Sequence, residues 1–297
     1  MPKKATQRPS ISIVGPGNLG SALATELARI GYPIRQVVSR LKSKHVKTAR
    51  AVARRVKGQH IFLGEAQLDS DIVWLTVSDD AIAEVAEQLA RSQSWKGKIV
   101  FHSSGAMTSD ELSALKKKGA AVASAHPLMS FVQGRAPSWQ EVAFAIEGDT
   151  PSVRTGFRIA RDLGGRPFKI QKKNKALYHA FGAFASPLVI ALMSSMEEVA
   201  EAAGIPRRQI KKTMLPLLRA TWGNYLVADA PRAFSGPLVR GDLHTVRKHL
   251  TELKRVPAAR EVYLALAKAA IERLPVKNKE ELKKELRSAN KVTQSVS

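Results

Sequence analysis

The sequence predicts a doubly wound, mostly parallel α/β sheet followed by an all-helical segment. Three observations carry that prediction. A β-branched strand runs into a glycine triplet at residues 11–20, and an amphipathic stretch follows it. Strand-like and helix-like runs then alternate to about residue 170, the pattern of βαβ units. From Lys172 onward the strand signal disappears and only helical runs remain.

Residues 11–14 (Ile-Ser-Ile-Val) read as the first strand, and Gly15-Pro16-Gly17-Asn18-Leu19-Gly20 follows directly. Gly15 permits the tight turn, Gly17 lets a pyrophosphate approach the backbone, and Gly20 lets the helix pack against the strand. Leu19, Ala22, Leu23, Leu27 and Ile30 share one helical face. The start of that helix offers free N–H groups and a positive dipole end to phosphate. Strand, glycines and helix together are the fingerprint of a dinucleotide site, Rossmann-like in kind, with residues 15–20 on the cofactor. The second strand, 34–38, ends in Ser39-Arg40, with Lys42 and Lys44 just beyond. A carboxylate at this point would mark NAD. A hydroxyl beside a guanidinium suits a 2′-phosphate instead, so NADP is the expected cofactor, held by Ser39 and Arg40.

The next runs are a helix over 50–57, strands over 60–63 and 71–77, and a helix over 81–90. A strand over 98–101, a helix over 109–118 and a strand over 120–125 follow. Two further strands, 142–146 and 167–170, flank a helix over 152–163 that Gly164-Gly165 ends. Helices are then expected over 176–203, 206–226, 240–253 and 258–274, punctuated by Gly204, Pro206 and Pro257. The expected domains are a Rossmann-like NADP-binding domain over 10–170 and an all-helical substrate and dimerisation domain over 171–275. A charged tail, 276–297, completes the chain.

The 297 residues suffice for two domains, and 44% hydrophobic content excludes a disordered chain. Cysteine is absent, which excludes disulfides and thiolate catalysis and fits a reducing cytoplasm. No apolar run is expected to reach the ~20 residues that span a bilayer. The first ten residues lack the apolar core of a leader and read as a short, mobile basic arm. The net charge of +23 is uneven: nine basic residues and no acid lie between Arg35 and Lys57. That stretch adjoins the expected 2′-phosphate pocket, where a positive field steers a polyanionic cofactor. Nucleic-acid binding is disfavoured, because aromatics are only 6% and no nucleic-acid motif is present. No zinc-type histidine cluster or nucleophile elbow occurs, so neither a metal nor a serine nucleophile is expected.

In an open α/β sheet, ligands bind at the carboxyl ends of the strands. Three segments fall there: Val77-Ser78 with Asp79-Asp80, then His102-Ser103-Ser104-Gly105, then His126-Pro127-Leu128. Val77 and Ser78 are expected under the cofactor, and Asp79 and Asp80 as helix caps. Ser103, Ser104 and His126 are expected in catalysis, with His102 and Gly105 at the substrate. The helix that opens the C-terminal half places Lys175, His179, Gly182 and Ser186 on one face. Lys175 and His179 are the titratable candidates for proton transfer. Lys175 also reads as one solvated charge in the run Lys172-Lys173-Asn174-Lys175. Arg240-Gly241-Asp242 is too short to mark adhesion. Its Arg240 is expected either to clamp a substrate carboxylate or phosphate or to pin a loop.

Five segments resemble a group of Rossmann-like proteins whose helical C-terminal half is a domain of unknown function. They are residues 15–20, 102–105, 124–128, 177–180 (Leu-Tyr-His-Ala), and 235–242 (Ser-Gly-Pro-Leu-Val-Arg-Gly-Asp) running on to His249. The group is similar to pyrroline-5-carboxylate reductase, ketopantoate reductase and the 6-phosphogluconate dehydrogenase superfamily. The resemblance implies an NADP-linked oxidoreductase acting on a small molecule, with a lysine and a second polar residue supplied by the first C-terminal helix. Where the group carries an Asn near the middle of that helix, this chain has Ser186-Pro187. The expected reaction is hydride transfer between nicotinamide and a small carbonyl, imine or hydroxyl substrate. A prephenate-dehydrogenase-like enzyme and a non-catalytic NADP-binding sensor are the alternatives. A homodimer is expected, because the apolar helical faces exceed what one small helical layer covers.

Overall fold

The computed structural model describes residues 8–65, 67–132 and 138–294, with side chains described to residue 290. The chain divides at Ser186/Pro187 into two compact units. The first unit is built on one eight-stranded sheet in the order β3-β2-β1-β4-β5-β6-β7-β8. Its strands are β1 (Ile11–Val14), β2 (Ile34–Ser39), β3 (Gln59–Phe62), β4 (Ile72–Leu75), β5 (Ile99–His102), β6 (Ala121–Pro127), β7 (Ala143–Gly148) and β8 (Arg166–Lys169). All neighbours are parallel except β6 and β7, which run antiparallel with Ser124 opposite Glu147 and His126 opposite Ala145. The reversal of order between β1 and β4 is the switch point where such sheets bind ligands.

The helices of this unit are α1 (Asn18–Arg29), α2 (Val46–Arg55), α3 (Ile82–Ser92), α4 (Ser113–Lys117), α5 (Thr150–Asp162) and α6 (Lys175–Ala185). They cover both sheet faces. One core joins Ile11, Ile13, Leu23, Leu27, Val37, Trp74 and Phe101 with α5 residues Ile159 and Ala160. The other joins Val14, Val38, Val73, Leu75 and Val100 with α3 residues Ile82, Val85 and Leu89. Alternate residues of β1 and β4 feed opposite cores, as the two-residue period of a strand requires.

The second unit contains α7 (Pro187–Ala202), α8 (Arg207–Val227), α9 (Ala230–Ala233), α10 (Pro237–Arg240), α11 (Leu243–Glu252), α12 (Pro257–Arg273) and α13 (Lys279–Gln294). Its core is formed by Val246, Leu250, Leu264, Ala267, Ile271, Leu282 and Leu286 from the last three helices. Arg240-Gly241-Asp242 is a turn between helices. Gly241 ends α10 at φ +66 in the left-handed region, and Asp242 caps α11 by accepting from Thr245 N at 3.0 Å.

Several expectations are corrected. The single helix expected over 176–203 is two. A proline has no N–H to donate and disfavours helical geometry in the residue before it. Ser186 accordingly leaves the helix at φ −134, ψ −83, and α7 begins at Pro187. The run Lys172–Ala202 is also long and apolar enough, by length and composition, to cross a membrane, and its apolar window is not buried. Its alanines, glycine and aromatics are interleaved with serines and a histidine, which disguises that apolarity in the bare sequence. Of the basic arm, residues 1–7 lie outside the described residues. Arg8 is held: its guanidinium lies 3.4 Å from Asp162 and 4.7 Å over the Tyr32 ring.

Candidate active site

The glycine turn is built as its residues demand. Gly15 has φ +92, and a Cβ there would meet Val77 Cγ1 at 2.7 Å. At Gly20 a Cβ would meet Thr76 Oγ1 at 2.3 Å and Gly15 O at 2.5 Å. Thr76, one residue past β4, closes the turn by donating to Gly15 O at 2.7 Å. Gly17 differs: nothing lies within 4 Å of an added Cβ. It is the N-cap of α1, and no side chain caps that helix or places an acid in its first turn. The uncapped amide end faces a cavity of about 360 Å³ lined by Gly15, Pro16, Gly17, Ser39, Arg40, Ser43, Lys44, Thr76, Val77 and Ser78. The expected cofactor residues Asn18, Leu19 and Gly20 form the first turn of α1 beside it. Asn18 also donates from Nδ2 to Phe131 O at 3.1 Å. The donor set fits a dinucleotide: Gly17 N–H is spent on Gly15 O at 2.8 Å, but the N–H groups of Asn18, Leu19 and Gly20 are left open at the start of α1, and the cavity lining adds the Ser39 and Ser43 hydroxyls with Arg40 and Lys44 and no carboxylate.

A second group of side chains gathers at the carboxyl edge of β5 and β6. Lys175 begins α6 and is fully buried. Its Nζ donates to Ser124 Oγ at 2.6 Å and to Ser104 O at 3.0 Å. Burial lowers its pKa to about 8, against the pull of the Glu147 and Asp79 carboxylates. Glu147 on β7 accepts from Ser109 N at 2.7 Å and Ser109 Oγ at 2.8 Å, so it is satisfied without touching the amine. One turn along α6, Tyr178 Oη lies 3.1 Å from His126 Nδ1. The His126 ring meets Tyr178 and His179 edge-on, with centroids 5.6 and 6.0 Å away. Gly105 completes the group: a Cβ there would lie 2.6 Å from His179 Cδ2 and 2.9 Å from His126 Nε2. Only glycine lets the two imidazoles approach this loop. Burial and the Lys175 charge push the His126 pKa down to about 3, so its ring is neutral at physiological pH. Burial raises the pKa of Tyr178, which keeps its hydroxyl protonated.

Lys175, Ser104, Gly105, His126 and His179 are thus brought together, and Tyr178, not among the residues expected in catalysis, joins them. Its i+3 relation to Lys175 is the signal that could have found it. Three expectations are corrected. Ser103 turns the other way and accepts from the Trp74 indole N–H at 2.8 Å inside the core. His102 is fully buried, with Nε2 on Thr108 O at 2.9 Å and Nδ1 accepting from Ser104 N at 3.1 Å. Both ring nitrogens are spent on holding the loop, and burial with the Lys175 charge drops its pKa to about 4. Asp79, expected to cap a helix, instead accepts from Ser104 Oγ at 2.7 Å, while Ser78 takes the cap position. That bond ties the loop after β4 to the loop after β5. Arg240 is exposed in the second unit, at the end of α10.

The buried amine makes a prediction about stability. A lysine whose pKa falls to about 8 on folding is neutral in the folded protein at a pH where the unfolded chain still binds the proton. Between pH 8 and the ordinary lysine value of 10.5, the unfolded state therefore holds more protons, and stability rises with pH. Wild type is expected to gain stability relative to Lys175→Met across that window. Urea unfolding of both proteins at intervals of pH measures it, and parallel pH curves would show that Lys175 does not titrate on folding.

The fold and the glycine turn define a Rossmann-like protein with a helical continuation. Residues 3–127 match the Rossmann-like domain, and residues 142–270 match a domain of unknown function, DUF2520. The chain joins a Rossmann-like domain to a DUF2520 domain, as the sequence resemblance implied. No curated protein matches the sequence. Among solved structures, a Bacteroides fragilis protein provisionally named an NADP oxidoreductase is similar, with TM-score 0.75 and 22% identity over 90% of this chain and 99% of that one. An imine reductase from Myxococcus stipitatus in complex with NADP+ has TM-score 0.65 and 15% identity over 89% of this chain and 94% of its own. A reductive aminase from Aspergillus terreus, in complex with NADPH and ethyl-5-oxohexanoate, has TM-score 0.65 and 14% identity over 93% and 98%. At these identities the likeness establishes the fold.

Proposed function

We propose that the protein is an NADP-dependent oxidoreductase that moves hydride between nicotinamide and a small carbonyl, imine or hydroxyl substrate. The observation that carries this reading is the glycine-turn cavity, lined by Ser39, Arg40 and Lys44 beside the uncapped first turn of α1. The solved relatives bound to NADP+ and NADPH support it. The amides of Asn18, Leu19 and Gly20 would hold the pyrophosphate, and Ser39 and Arg40 the 2′-phosphate. The nicotinamide, when bound, supplies or accepts the hydride.

The chain's own task is then to place the substrate and to manage one proton. Tyr178 carries that proton at its hydroxyl, with the Nδ1–H of a neutral His126 donating to the phenol oxygen so that the hydroxyl proton is free for the substrate. His179 is the exposed member of the group and contacts the substrate. Lys175 and Ser104 are positioning residues: the amine fixes α6 to the loop after β5, and Ser104 fixes that loop to Asp79.

Turnover of NADPH with a panel of cyclic imines, 2-oxo acids and aldehydes tests the reading. Tyr178→Phe is expected to lower kcat by about 100-fold while leaving NADPH affinity unchanged, the size of a general acid contribution. A second reading has one observation in its favour: the Lys175 amine is enclosed, with its hydrogen bonds spent inside the protein. That suits a non-catalytic NADP-binding sensor, which would bind NADPH tightly and turn over nothing in the panel.

The protein is further assigned as a cytoplasmic homodimer. Leu177, Phe181, Phe184 and Ile190 on α6 and α7 are 76%, 58%, 70% and 63% exposed, and Leu217, Leu226 and Val227 on α8 are 72–88% exposed. Apolar patches of this extent mark an association surface.

A further inference from the structure

We propose that His60, on the edge strand β3, sets the preference for a 2′-phosphate by aiming the Ser39 hydroxyl. The inference rests on the NADP reading above and assigns a specificity role to a residue outside the cofactor pocket's lining.

Ser39 is the last residue of β2, where a carboxylate would otherwise select a ribose hydroxyl. Its side chain is buried, yet the residue lines the cofactor cavity. Ser39 Oγ lies 3.0 Å from His60 Nε2, its one side-chain hydrogen bond among the described residues. Strand register explains the reach. Val37 pairs with His60 and Ser39 with Phe62, so the imidazole extends two residues along β2 to the strand end. The ring is braced edge-on against Phe62, with centroids 4.9 Å apart at 83°. His60 also lines a basic cavity with Lys47, Arg50, Arg54 and Gly58. Burial and the Arg50 charge lower the His60 pKa and favour its neutral form.

A hydroxyl has a single proton, so its direction matters. If Ser39 donates to His60, it turns only lone pairs toward the pocket, and these repel a phosphate. If the Nε2–H of a neutral His60 donates to Ser39, the Ser39 proton is free for a phosphate oxygen. A doubly charged 2′-phosphate selects the second arrangement. A ribose hydroxyl, which both donates and accepts, selects neither. His60 thereby favours the phosphorylated cofactor without touching it.

Binding of NADPH and NADH to the full-length protein, followed by ligand fluorescence and calorimetry, tests this. His60→Leu is expected to weaken NADPH about tenfold, the scale of a hydrogen bond to a charged group, and to change NADH less than twofold. His60→Gln keeps an amide donor at the same reach and is expected to retain most of the preference. Ser39→Ala is expected to lose the same factor as His60→Leu, and the double variant no more than either. An equal loss for both cofactors, additive losses in the double variant, or an unchanged preference in His60→Leu would each overturn the assignment. A wild type that binds NADPH no better than NADH overturns the NADP reading itself, and that outcome is visible before any variant is made.

Discussion

Gly17→Ala is expected to fold as wild type does and to lose NADPH binding by at least tenfold. Gly20→Ala is expected to fail in the opposite order, through the fold. The two glycines belong to one motif but face different surroundings. A methyl group at Gly17 meets no protein atom within 4 Å, and the residue's φ of −72 suits alanine. The methyl would stand in the cavity, where a pyrophosphate must approach the amides of α1. At Gly20 the same methyl would overlap Thr76 Oγ1 and Gly15 O, and the second of these is backbone that cannot turn aside. Relief requires α1 to move off β1, at the cost of the Leu23 and Leu27 packing. Melting temperature and NADPH affinity, measured on both variants, separate the two. A destabilised Gly17→Ala protein with intact affinity would reverse the roles given to these positions.

Arg40→Asp is expected to invert the cofactor preference. The guanidinium is exposed at the end of β2 and lines the cavity with Ser39 and Lys44. Replacing it with a carboxylate removes an attraction to the 2′-phosphate and adds a repulsion. The same carboxylate is an acceptor for the two ribose hydroxyls of NADH. NADPH affinity should fall about 100-fold, and NADH affinity should hold or improve. The measurement is the ratio of dissociation constants at moderate salt, because exposed charges are screened as salt rises. A ratio unchanged by the substitution would move the 2′-phosphate site away from β2.

The parts of this protein legible in the sequence are those that repeat or that local geometry dictates. The eight strands follow from apolar runs between turn residues, and the glycine turn follows from its spacing. The candidate site was legible only by halves. Lys172, Lys173 and Lys175 look alike in sequence, and what singles out Lys175 is that it alone sits where α6 turns its first residue onto Ser104 and Ser124. Those partners are 71 and 51 residues away, beyond any periodic signal. Ser103 and Ser104 are neighbours at a strand end, so they point to opposite sides, and sequence does not say which side holds the core. In the bare sequence His60 is only part of a strand, because its meaning comes from the register between β2 and β3.

The antiparallel pairing of β6 with β7 bears on how this protein can be cut. The connection between these strands lies between the part of the chain that carries the glycine turn and the part that carries α6. Severing it there would strip β6 of its partner along residues 123–127. A fragment ending before β7 would keep the glycine-turn cavity but present a bare strand edge that includes Ala123 and Ala125. Such an edge is a template for other chains, and the fragment would aggregate rather than stay dispersed. Dissection into working halves must therefore carry β7, α5 and β8 along with the amino-terminal strands.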